Sequence, residues 1–198
     1  MWSRIVPLVL AFGLAGCASR QTPVANAPLT PAVSPEIRDD VAGRRLIAHA
    51  QALANAGKMH DGERRDCSGF VMDVFRAAGK PLRIPDQHQR FQNVSAMLHD
   101  WSSTEGRAFR GTPAPGDLVF FRDTTGDVNG RITHVALVER VRDDGTVELI
   151  HYISGKIRRD PMNLARPADH TVNAWLRKKK HKGEAALAGE LFVAYARF

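Results

Sequence analysis

Two hydrophobic patterns follow one another along this chain, and their order constrains the fold more than any other feature. Ahead of Gly111 apolar residues recur at three and four. Val41, Leu46, Ile47, Ala50, Leu53 and Ala54 run on to Gly57 behind Ser34-Pro35-Glu36, which reads as an N-cap with proline at the first helical position. Phe70, Val71, Val74, Phe75 and Ala78 continue from Cys67 to the stop signal of Gly79 and Pro81. A third helix is predicted from about Gln87 to Asp100, on Phe91, Val94, Met97 and Leu98. After Gly111, Leu118 to Phe121, Thr133 to Val141, Val147 to Ile153 and Leu191 to Ala196 are rich in β-branched and aromatic residues, with turn residues between them. Helices first and strands afterwards predict an α+β domain with an antiparallel sheet, not an alternating parallel one.

The 198 residues suit a single domain, and 43% hydrophobic with 25% charged residues excludes a disordered chain. Two cysteines, Cys17 and Cys67, exclude a disulfide scaffold. No internal repeat, glycine-rich phosphate loop or paired-cysteine zinc motif is visible. Each cysteine therefore calls for its own explanation.

Cys17 follows a short apolar run, Ile5 to Leu14, behind Arg4. That run is too short to span a bilayer of roughly 30 Å and has the make-up of an export signal. Leu14-Ala15-Gly16-Cys17 resembles a bacterial lipobox, which implies lipidation of Cys17 as the new N-terminus. Residues 1–16 are then a lipoprotein signal peptide, and 17–34, with Pro23, Pro28 and Pro31, a lipidated tether. Residues 35–198 remain as the folded domain. Ala18 after the cysteine implies sorting to the periplasmic face of the outer membrane in a didermal cell. Removal of residues 1–16 takes away Arg4 alone, so the net charge falls from +7 to +6.

Cys67 opens the second predicted helix within Asp66-Cys67-Ser68-Gly69, and His134 and His151 lie on successive predicted strands. A thiol attacks as thiolate, and a helix N-terminus together with an imidazole that takes the proton supplies the activation it needs. The order cysteine, histidine and a further polar group matches the logic of a nucleophile, a base and an orienting residue. Whether the two imidazoles meet depends on the turn between their strands. A four-residue loop of Arg142 to Gly145 puts Ala136 opposite His151, so that both imidazoles share a face about 7 Å apart. A tight Asp144-Gly145 turn puts Val138 there instead and widens the offset to about 13 Å, while a bulge changes the face altogether. His49, His99, His170 and His181 read as ordinary core or surface residues.

The resemblance to a family rests on four motifs in one order. Asp66-Cys67-Ser68-Gly69-Phe70-Val71, Pro115-Gly116-Asp117-Leu118-Val119-Phe120-Phe121, Thr133-His134-Val135-Ala136-Leu137-Val138 and Ile150-His151 resemble those of the NlpC-type papain-like cell-wall cysteine peptidases. A related group, the cysteine, histidine-dependent amidohydrolases/peptidases, shares the fold and matches the Asp66 to Gly69 motif less well. The resemblance implies a papain-like α+β fold, with Cys67 as nucleophile, His134 as general base then acid, and His151 as orienting residue. It implies a hydrolase of peptidoglycan stem peptides, cutting near D-glutamate and diaminopimelate, with no metal or organic cofactor. It further implies that Asp66 and Ser68 hold a polar end of the stem, although Asp66 is equally a helix N-cap. The family usually carries an aromatic residue, often tyrosine, upstream of the nucleophile. Lys58 to Arg65 contains none, and His60 is the candidate donor in its place. That departure keeps a non-catalytic wall-binding protein open, and an N-acetylmuramoyl-L-alanine amidase or acyltransferase would use the same dyad. The expected partners are stem peptides and, through the lipid, a membrane. Nucleic acid is not expected, and the chain reads as a monomer. The basic run Arg177 to Lys182 reads as a solvated loop, and Trp101 and Trp175 as core.

Overall fold

The computed structural model describes residues 40–57, 59, 64–83, 93–126, 128–177 and 183–198. The signal, tether and Cys17, the Ser34 cap, and His60 and His88 lie outside those residues, as do 178–182 of the basic run. Three helices come first: α1 (Asp40–Ala56), α2 (Cys67–Ala77) and α3 (Val94–Thr104). Then come β1 (Ala108–Phe109), β2 (Leu118–Arg122), β3 (Ile132–Val141), β4 (Val147–Ile153), β5 (Lys156–Met162), the short α4 (Ala188–Leu191) and β6 (Phe192–Ala196). The strands form one antiparallel sheet in the order β1-β6-β2-β3-β4-β5. The α+β architecture expected from the segregated pattern is present.

Both ends of α2 are set locally. Asp66 caps the N-terminus by accepting from the Gly69 amide at 2.9 Å. At the other end Gly79 has φ +77, and the amides of Gly79 and Lys80 close on the carbonyls of Arg76 and Phe75. Asn93 caps α3 through the Ala96 amide. This helix ends one turn later than predicted, at Thr104, and the hydroxyls of Ser102, Ser103 and Thr104 return to carbonyls four residues back.

The sheet is buried on both faces. Phe120, Val135, Leu137 and Ile150 pack against Leu46, Phe70, Val74, Phe75 and Leu98 of the helices. Val119, Phe121, Ala136, Val138 and Leu149 pack instead with Leu176, Ala188 and Leu191. The buried run Leu118–Phe121 therefore reads as continuously apolar, since each face has its own cover. Trp101 stacks on Phe198 at 4.9 Å between ring centroids, whereas Trp175 stays half exposed, bridging to Leu187 rather than joining the core. Arg177 departs from the solvated-loop expectation: it is buried, and its guanidinium donates to the Asp123 carbonyl at 3.0 Å.

The β3–β4 hairpin decides the histidine geometry. Val141 sits opposite Val147 and Arg140 opposite Glu148, but Val138 sits opposite Leu149 and Leu137 opposite Ile150. Glu139 is thus an extra residue, a bulge in β3. The turn closes with the Arg142 amide donating to the Thr146 carbonyl at 2.8 Å, one residue longer on the β4 side than the four-residue loop. The tight Asp144-Gly145 register is not adopted. Continued without the bulge, the Val141–Val147 register would send His134 and His151 to opposite faces. The bulge moves β3 by one and restores the register in which Ala136 would face His151.

Candidate active site

Cys67 begins α2, where the chain enters from Arg64 under tight constraint. A β-carbon on Gly69 would lie 2.0 Å from the Arg64 carbonyl oxygen, so only glycine lets that strand of chain cross the first helical turn. Asp66 Oδ1 accepts from both the Gly69 amide and the Ser68 hydroxyl, and Arg64 Nε lies 2.7 Å from Asp66 Oδ2 and 2.9 Å from Ser68 Oγ. The two residues expected at a substrate end are therefore engaged in the helix cap and in a pair with Arg64.

The pairing of β3 with β4 stops at Leu137 and Ile150, which leaves the Val135 amide without a ladder partner on that side. That amide favours the thiolate form of Cys67, and Ser95 Oγ on α3 lies 3.4 Å from Sγ. Ser95 is buried. Burial pushes the Cys67 thiol above its ordinary value. Ser95 and the amides of Val135 and Ser68 pull the other way, while the charge of Asp66 adds to the rise. Among the described residues no hydrogen bond joins Cys67 to His134, the neighbour of Val135. Resting sites of this kind are often looser than the geometry in which they react.

His134 and His151 do meet. His134 Nε2 lies 2.7 Å from His151 Nδ1, with the rings edge to face and both residues buried. Phe121, directly opposite His134 on β2, packs at 5.9 Å between centroids and holds that ring from the other side. Burial holds the His134 imidazolium well below the usual histidine range, and the charge of His151 pushes the same way. His151 Nε2 in turn lies 3.0 Å from Asp160 Oδ2 on β5, a residue that the sequence reading missed. The missed signal was Ser154-Gly155, a two-residue turn with φ +52 and +81 that fixes Ile153 opposite Lys156 and hence the register of a fifth strand.

The thiol at a helix start thus lies beside two strands that bring a pair of buried imidazoles together. Residues 58–152 match the family model of the CHAP domain, a cysteine/histidine-dependent amidohydrolase/peptidase module, and the match is consistent with the NlpC and papain-like resemblance. CHAP domains are typically hydrolases, with amidase or peptidase activity related to peptidoglycan. No curated protein matches the chain.

Proposed function

We propose that this protein is a cell-envelope cysteine hydrolase that cleaves amide bonds of peptidoglycan stem peptides. The observation that carries the reading is the buried His134–His151 hydrogen bond, together with the adjacent Val135 amide that favours the Cys67 thiolate. In this scheme His134 takes the thiol proton as Sγ attacks the carbonyl carbon, and backbone amides of the first turn of α2 support the oxyanion. Collapse breaks the carbon–nitrogen bond, and His134 gives its proton to the leaving amine. It then takes a proton from the water that cleaves the thioester, and Cys67 is restored as thiol. His151 keeps His134 in the tautomer that this cycle needs.

The papain-like arrangement, the domain limits of 35–198, the lipid on Cys17 and the outer-membrane address belong to the same proposal. Asp66, Ser68 and His60 remain its candidate substrate contacts, and cleavage at muramoyl-L-alanine is the second reading beside endopeptidase cleavage, since the CHAP match covers amidases and peptidases alike. Mass spectrometry of soluble fragments released from purified sacculi by the full chain, with Cys67→Ala in parallel, tests both. Cysteine-dependent cuts within the stem establish a peptidase, and loss of whole stems an amidase. No cysteine-dependent product from several wall chemistries, with folded protein, overturns the hydrolase reading and leaves wall binding or acyl transfer.

A further inference from the structure

The imidazole pair continues into a third strand. Asp160 faces Leu149 across the β4–β5 ladder and Arg158 faces His151, so Asp160 is the diagonal neighbour of His151 on the same sheet face. The contact is made: His151 Nε2 to Asp160 Oδ2 is 3.0 Å, and the other carboxylate oxygen accepts from Arg158 Nη2 at 2.9 Å. His151 is fully buried and Asp160 nearly so, while Arg158 reaches solvent. Asp160 lies beyond residues 58–152, the stretch that matches the CHAP domain.

Counting protons along this line leaves one neutral arrangement. An ionised carboxylate only accepts, so the His151 proton sits on Nε2 and Nδ1 carries the lone pair. His134 Nε2, 2.7 Å away, must then donate, and His134 Nδ1 is left as the basic nitrogen. Any other neutral assignment turns a ring lone pair toward the carboxylate or sets the two ring lone pairs against each other. Burial works to raise the Asp160 carboxyl, but the hydrogen bond and charge of His151 and the neighbouring Arg158 outweigh it and hold it below the ordinary aspartate value. The titratable and charged groups around His151 are His134 from β3 and Arg158 and Asp160 from β5.

We propose that Asp160 is a positioning residue of this active site, which sets the tautomers of His151 and His134 in series and supports the positive charge that His134 acquires when the Cys67 thiol loses its proton. The inference rests on the reading of Cys67 and His134 as nucleophile and base. No proton leaves Asp160 or Arg158 in the cycle. Arg158 holds the carboxylate in orientation and keeps it ionised.

The test measures alkylation of Cys67 in the full chain by iodoacetamide across pH, read by peptide mass spectrometry that separates Cys67 from Cys17. Asp160→Asn and Asp160→Ala are compared with the parent after circular dichroism confirms the fold. Both variants should lower the rate at neutral pH by roughly 10-fold, equivalent to about one pKa unit of lost support for the imidazolium, and displace the pH profile. Folded variants with the parental rate and profile overturn the proposal. Nitrogen NMR of the unmodified protein gives a second reading that needs no variant: protonation of His134 at Nε2 with Nδ1 bare supports it, and the reverse tautomer overturns it. Sacculi left uncut by a parent protein with these tautomers would sink the proposed hydrolysis and leave the relay standing.

Discussion

Ser95 Oγ lies 3.4 Å from the Cys67 sulfur, and it comes from α3, a helix separate from the one that Cys67 opens. A hydrogen bond to a charged acceptor contributes about 1.5–3 kcal/mol, so Ser95→Ala should raise the thiol pKa by roughly one unit or more. The pH dependence of alkylation reads this directly, and an unchanged profile would remove Ser95 from the thiolate's support. His134 carries the complementary expectation. Its pKa is held below the histidine value of 6.5 by burial, so the base stays neutral as pH falls through the ordinary histidine range. The folded protein favours the neutral form, so the stability tied to it begins to fall below the unfolded value of about 6.5 and is fully lost once pH passes the lowered value, where base function is lost as well. The acid limb of kcat/KM on a stem peptide should therefore lie below 6.5, and an acid limb above it would contradict the burial argument. Cys67 and His134 stood out as candidates because short motifs travel with them. Asp160 had no such motif, since its role depends on a partner nine positions away.

At the scale of elements, the junction entering α2 is the most constrained piece of chain near the site. Gly69→Ala places a methyl against the backbone oxygen of Arg64, and backbone cannot yield as a flexible side chain can. The expected cost is about 1–3 kcal/mol, read as a lower midpoint in urea denaturation, with alkylation of Cys67 disturbed in the same variant. A parental midpoint would show that the segment shifts freely. The helix α2 was readable to within a residue, because cap, apolar period and glycine stop all agree locally. Strand β5 was not. Lys156-Ile157-Arg158-Arg159-Asp160-Pro161-Met162 is charged and holds a proline, which argues against a strand on propensity alone. Its charges are spent across the sheet: Arg159 on Glu139 and Asp160 on His151. A strand whose polar residues serve partners on other strands breaks the alternating rule for a physical reason.

For the whole molecule, the proposed address makes a prediction independent of chemistry. Cys17→Ser should move the protein from the membrane to the soluble fraction of cells and abolish incorporation of labelled fatty acid, whereas retention in membranes would refute the lipid anchor. The sequence by itself determined the α+β class, the order of helices and strands, the cysteine at a helix start and the histidines worth watching. These follow from local periodicity, caps and motif spacing, each carried by residues close together in the chain. Only the tertiary structure decided that His134 and His151 touch. A turn one residue longer than either simple reading and a compensating bulge at Glu139 set the register, and both depend on how the hairpin packs rather than on its local preferences. The third strand of the relay was likewise settled by packing, for Asp160 reaches His151 only once β5 is laid against β4. Side chains on neighbouring strands are brought together by register, and register is a property of the assembled sheet.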